Sequence, residues 1–83
     1  MGNNLPTFTL EEVKIHNTLD DCWLVAEGKV YNITEFIKNN SHPAGNKMFE
    51  RNAGKIVDQD FKFHSHYAKS MWEKYQIGKL KKP

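Results

Sequence analysis

Three histidines bracket one stretch of this 83-residue chain, His42 at its start and His64 and His66 at its end. The stretch opens with His42-Pro43-Ala44-Gly45 and closes with His64-Ser65-His66, and between them lie Met48, Phe49, Ile56, Val57, Phe61 and Phe63. Neutral imidazole is a good ligand for iron, and two imidazoles facing each other across an apolar slot form the protein half of a six-coordinate haem site. The pattern therefore points to a small haem protein that transfers electrons. A zinc site built from His16, His42, His64 and His66 is the competing coordination chemistry. Only Cys22 supplies sulfur, however, and the spacings fit no common zinc pattern.

Composition narrows the classes. A chain of 83 residues makes one domain, and one of this size buries only about 60–65% of its unfolded surface, so a staple is expected. An internal disulfide cannot be that staple, because Cys22 is the only cysteine. The same count excludes a Cys-x-x-Cys-His attachment, so a haem here is held without covalent bonds. The 12 basic and 10 acidic residues give a formal charge of +2, too balanced to indicate nucleic acid. No apolar run approaches the ~20 residues of a transmembrane helix or forms a signal-peptide core. Met1-Gly2 resembles an acylation start, but Pro6 stands where Ser or Thr is wanted. The expectation is a soluble, cytoplasmic monomer.

The elements that must position the histidines follow in chain order. Residues 1–7 are polar and broken by Pro6, which predicts a frayed terminus. Thr9-Leu10-Glu11-Glu12 is a capping box that starts a short helix ending near His16-Asn17, with Leu10 and Val13 inward. His16 reads as a helix-end surface residue. Cys22 to Ala26 and Lys29 to Ile33 read as the two strands of a hairpin turned at Glu27-Gly28. Asn32 or Thr34 caps a helix from Glu35 to about Asn39, carrying Phe36 and Ile37 inward.

Pro43 suits the first turn of the next helix, Met48 and Phe49 its inner side, and Gly54 its C-terminal cap. Asp58 opens another short helix with Phe61 and Phe63 inward. A final helix runs from about Ser65 to Tyr75 with Ala68, Met71, Trp72 and Tyr75 at helical spacing. Ile77 to Leu80 closes the chain as a strand, and residues 81–83 form a basic tail. Ile33 and Ala26 are expected at the bottom of the pocket. Trp23, Tyr31 and Trp72 fall outside the histidine-bearing segments and read as core beneath the sheet.

Phe8 to Val13, Trp23-Leu24-Val25 and Lys29 to Phe36 resemble the opening half of cytochrome b5. His42-Pro43-Ala44-Gly45 is similar to that family's His-Pro-Gly-Gly signature. His64-Ser65, Ala68, Met71 and Ile77-Gly78 resemble its second-ligand segment and closing strand. The resemblance spans residues 8–80. It implies an α+β, cytochrome b5-like fold in which a small mixed sheet floors two helix pairs forming a haem pocket, with haem b held by two axial histidines. It implies an electron carrier and not an enzyme, fed by a flavin-dependent cytochrome b5 reductase. The acceptors it implies are desaturases, hydroxylases or mono-oxygenases.

By that resemblance His42 and His64 are the axial ligands, each oriented by an acceptor on its other ring nitrogen. Phe36, Met48, Phe49, Phe61, Phe63, Ala68 and Met71 clasp the porphyrin, and Ser65 either binds a propionate or caps a helix.

Several departures stand out. Ala44 replaces a glycine, the Phe36–His42 spacing is about two residues longer, and the segment before the second ligand is shorter. A gapless count from His42 puts the second ligand at His66, whereas a count back from Ile77-Gly78 puts it at His64. His64 shares a helical face with Ala68 and Met71, and His66 shares one with Lys69 and Ser70, so His64 is preferred with His66 as the alternative. Asn46, Lys47 and Arg51 occupy positions where carboxylates are usual, while Glu50, Asp58 and Asp60 remain nearby. A less acidic edge predicts a raised potential. The alternatives outside redox chemistry are a haem-free interaction module of the same fold and, from Lys81 and Lys82, a membrane or nucleic-acid contact.

Overall fold

The computed structural model describes residues 5–39, 43–57 and 73–82. Its elements are β1 (Thr7–Phe8), α1 (Leu10–Lys14), β2 (Asn17–Thr18), β3 (Asp21–Ala26) and β4 (Lys29–Asn32), then α2 (Thr34–Asn39), α3 (Pro43–Asn52), β5 (Lys55–Ile56), a 3-10 turn at Glu73–Tyr75 and β6 (Gln76–Leu80). The strands form one mixed sheet in the order β1-β6-β4-β3-β2, with β5 also on β3. The α+β class is as expected.

Strand β3 is central because both its edges are used. Antiparallel pairing sets Leu24 opposite Tyr31 and Val25 opposite Val30 on β4. Its other edge takes β2 at Asp21 and Cys22, and β5 in parallel at Leu24 and Val25. The β3–β4 hairpin closes over Glu27 and Gly28 with φ of 54° and 75°, the left-handed pair that a two-residue turn demands. Alternation then divides the core. Cys22, Leu24 and Ala26 join Tyr31, Ile33, Ile37, Phe49, Ala53 and Val57 in one cluster. Val25 joins Val13 and Val30 in another, with Phe8, Leu10, Trp23, Ile77 and Leu80 against it.

The local signals act as read. Thr9 accepts from the Glu12 N–H, and Glu12 accepts from the Thr9 N–H, which completes the capping box. Asn32 accepts from both the N–H and the hydroxyl of Thr34, whose oxygen in turn accepts from Cys22 N–H. Helix α2 is thereby tied to β3 at its first residue. At the far end of α3, Gly54 takes φ of 76° and donates to Trp23 O at 2.7 Å.

Three expectations are corrected. Residues 6 and 7, assigned to a frayed terminus, are tied to the sheet: Thr7 pairs with Lys79 as part of β1, and Pro6 O, just before the strand, accepts from Lys79 N–H. Lys81, assigned to the tail, donates from its backbone to Phe8 O. Parallel pairing with the chain's last strand is a long-range contact that no local pattern announces. Tyr31, expected beneath the sheet, belongs instead to the cluster containing Phe49. It lies opposite Leu24 and so shares that residue's face.

Two tests follow from these contacts. Replacing Gly54 with alanine forces a left-handed backbone on an L-residue and sets its Cβ 3.1 Å from Lys14 O. Chemical denaturation should show a loss of about 1–2 kcal/mol. Cys22 is fully buried, and burial, with a smaller push from Asp21, raises its thiol from 9.0 to about 12. Above pH 9 the unfolded thiol ionises while the folded one stays protonated, so its contribution to stability is full below pH 9 and is lost between pH 9 and about 12. The native thiol should resist disulfide reagents until the chain unfolds. Cys22→Ala should flatten the alkaline decline, and an unchanged decline would assign it to other groups.

Candidate functional site

The cluster around Phe49 is the larger of the two buried apolar clusters among the described residues. Its floor is the alternating side of β3 and β4, and its wall comes from α2 and α3. Ile33 and Ala26, expected at the bottom of the pocket, are fully buried within this cluster. Phe36 is half-buried and stands between two aromatic neighbours. Its ring meets Phe49 edge-on at 5.9 Å and 88°, and Tyr75 at 5.7 Å and 74°. These are favourable edge-to-face geometries that lock three rings from three elements. Lys47, Glu50 and Arg51 face solvent on α3 as expected.

Electrostatics on this side are plain. No polar or charged residue is buried among the described residues. The Tyr31 phenol is pushed above its ordinary value by burial first, then by the carboxylates of Glu27 and Glu73. Among the described residues this side carries no histidine and no cluster of metal-ligating groups.

Two segments join the described elements around this cluster and carry the histidines singled out in the sequence. One joins the end of α2 at Asn39 to Pro43, the first residue of α3, and carries His42. The other joins Val57 to Glu73 and carries Phe61, Phe63, His64, Ser65, His66, Ala68 and Met71. These residues, with Trp72 and the side chain of Met48, lie outside the described residues. Of the expected site residues, the structure brings together Phe36 and Phe49. It adds Tyr75, which helical spacing marked only as core, and Tyr31 from the floor. The signal for Tyr31 is its cross-strand position opposite Leu24.

His16 is used elsewhere. Its ring lies flat on Trp23, with centroids 3.7 Å apart and planes 8° apart. Its Nδ1–H donates to the Asp21 carboxylate, whose oxygens both lie at 2.8 Å. Trp23 belongs to the opposite cluster, as expected for a residue beneath the sheet. The fit of haem to this chain thus rests on an apolar, aromatic-walled face and on imidazole donors in the segments bordering it, a donor set suited to iron porphyrin.

Residues 9–81 match the family model described as a cytochrome b5-like heme/steroid binding domain. Cytochrome b5 isoform B of Arabidopsis thaliana is 42% identical over 82 residues, covering 96% of this chain and 60% of that protein. A nitrate reductase [NADH] of Cichorium intybus is 41% identical over 81 residues, which are 96% of this chain and 9% of the reductase. Among solved structures, cytochrome b558 of Ectothiorhodospira vacuolata, a prokaryotic homologue of cytochrome b5, has a TM-score of 0.80 and 36% identity. That match covers 93% of this chain and 100% of the other. The chain spans about 60% of the length of the curated plant cytochromes b5 that it matches. No helix among the described residues is long and apolar enough to cross a membrane. A family match across residues 9–81, with a fold shared over nearly the whole chain, shows that this chain belongs to the cytochrome b5 family, whose domain binds haem b.

Proposed function

We propose that the chain carries single electrons on a non-covalent haem b whose iron is held by His42 and His64. The observation that carries this reading is the apolar face on which Phe36 contacts both Phe49 and Tyr75, bordered in sequence by the two histidine-bearing segments. Bound haem supplies a one-electron ferric–ferrous couple. The residues of the chain hold and shield it. The neutral imidazoles of His42 and His64 would hold the group, and with both committed it would offer no open site to oxygen or substrate. Phe36 and Phe49, with Met48, Phe61, Phe63, Ala68 and Met71, would exclude water from the porphyrin, and Ser65 would take a propionate. Cys22 is the only cysteine and is fully buried, so no thioether link forms.

The electron donor in this reading is a flavin-dependent cytochrome b5 reductase, and the acceptor a desaturase, hydroxylase or mono-oxygenase. The match to a short part of a nitrate reductase [NADH] supports carriage between a nicotinamide-oxidising partner and an oxidised acceptor.

The test is an absorption titration with hemin, oxidised and reduced. Wild type should give a sharp low-spin spectrum that is lost in His42→Ala and His64→Ala and kept in His66→Ala. Loss in His66→Ala with retention in His64→Ala moves the second ligand to His66. Absence of low-spin haem in wild type sinks the redox reading and leaves a haem-free interaction module.

Charge on α3 generates a second test. Its first turn carries no acidic residue, and Lys47 and Arg51 are exposed. Positive charge near the site favours the ferrous state, which carries one positive charge fewer, and salt screens the effect. The midpoint potential should lie above that of acidic relatives at matched ionic strength, and Lys47→Glu with Arg51→Glu should lower it. A potential at or below theirs contradicts the assignment.

A further inference from the structure

Beside the reverse face of the sheet, α1, β5 and β6 leave a groove of about 550 Å3 that the redox reading does not use. Leu10, Ile56 and Leu80 form its apolar lining, with Glu11, Lys81 and Lys82 also bordering it. The volume falls in the range of small-molecule pockets, which run from roughly 300 to 1,000 Å3.

Hydrogen bonds hold each wall in place. Leu10 follows directly on the capping box of Thr9 and Glu12. Val57, next to Ile56, donates to Val25 O at 2.7 Å. Leu80 N–H donates to Gly28 O at 2.9 Å, and Lys81 N–H to Phe8 O at 2.7 Å.

Two further observations describe what the groove accepts. Ile56 is 48% exposed, one of two large hydrophobic residues left exposed among the described residues. Thr9, which supplies the groove's hydroxyl, already exchanges hydrogen bonds with Glu12. The interior therefore rewards hydrocarbon. The border, by contrast, is cationic. Lys81 and Lys82 face the single carboxylate of Glu11, since the Glu12 carboxylate is committed to Thr9. Neither lysine forms an ion pair among the described residues.

We infer that this groove binds a single acyl chain ending in an anionic head, supplied as a free fatty acid. The hydrocarbon lies along Leu10, Ile56 and Leu80, and the carboxylate meets Lys81 and Lys82. The groove draws Leu10 and Leu80 from the cluster opposite Phe36 and Phe49, so its occupancy does not depend on the haem reading.

Calorimetry on the haem-loaded protein tests this, with dodecanoate below its micelle concentration as probe and dodecyltrimethylammonium as the cationic control. One-to-one binding of dodecanoate is expected, at least tenfold tighter than the control. Ile56→Asp should weaken it at least tenfold, and so should Lys81→Glu with Lys82→Glu, while the haem spectrum of each variant stays unchanged. Equal binding of both amphiphiles, or indifference to Ile56→Asp, overturns the proposal. Binding to phosphatidylserine-containing vesicles without binding of monomeric dodecanoate also overturns it and assigns the lysines to a membrane surface. If haem fails to bind, methyl resonances of Ile56 and Leu80 in the haem-free protein still report the groove, so the two readings fail separately.

Discussion

Leu24 and Val25 are neighbours on β3, yet each lies at the centre of a different core, one on either side of the sheet. A strand with period-two alternation can serve two cores only if its register is held, because a slip of one residue exchanges every side chain between them. The register is held from both edges. On one edge β4 pairs through four residues, and on the other β2 and β5 share the strand between them. The aromatic wall depends on this arrangement. With Leu24 and Ala26 fixed beneath it, Phe49 and Ile37 have a floor to pack on, and Phe36 is then caught between Phe49 and Tyr75.

The anchors of that register were legible where the chemistry is local. A threonine three residues ahead of a glutamate, a Glu-Gly pair between apolar runs, and a glycine after a helix act within a few residues of themselves, so their effect reads directly from sequence. Thr9, Gly28 and Gly54 behave accordingly. The pairings of β1 with β6 and of β3 with β5 join residues far apart in sequence through strands of two residues, too short to show any periodicity. Tyr31 was misread for a related reason. Its face is set by the partner across the hairpin, and position along the chain carries no such information. At the site, the resemblance marked Phe36 and Phe49, which do meet. The contact of Tyr75 with Phe36 depends on where β6 enters the sheet, a tertiary fact.

The described core is small, and its polar groups lie outside it. A domain of this size gains a substantial share of its stability from whatever binds its folded form alone, by an amount that grows with the logarithm of ligand concentration over Kd. A cofactor held against Phe36 would bear on the ring contacts that join α2 to α3 and to the turn at Glu73–Tyr75, and so would act as a staple among elements otherwise joined by short connections. The lone cysteine cannot do this, since Cys22 is spent as a small buried hydrophobe on the same floor.

His16 shows why four histidines do not make four equivalent ligands. One ring face rests on Trp23 at 3.7 Å, and Nδ1 is given to Asp21. The backbone carbonyl of the same residue accepts from Trp23 N–H at 3.1 Å, so ring and main chain together pin the exit of α1 to β3. Moving this imidazole to a metal would break the stack, leave Asp21 without its partner and loosen the edge of the strand on which both cores depend. His16 is therefore set apart from the histidines to which the proposed reading gives the haem. The fold in this way commits His16, by ring and by main chain, to holding its central strand.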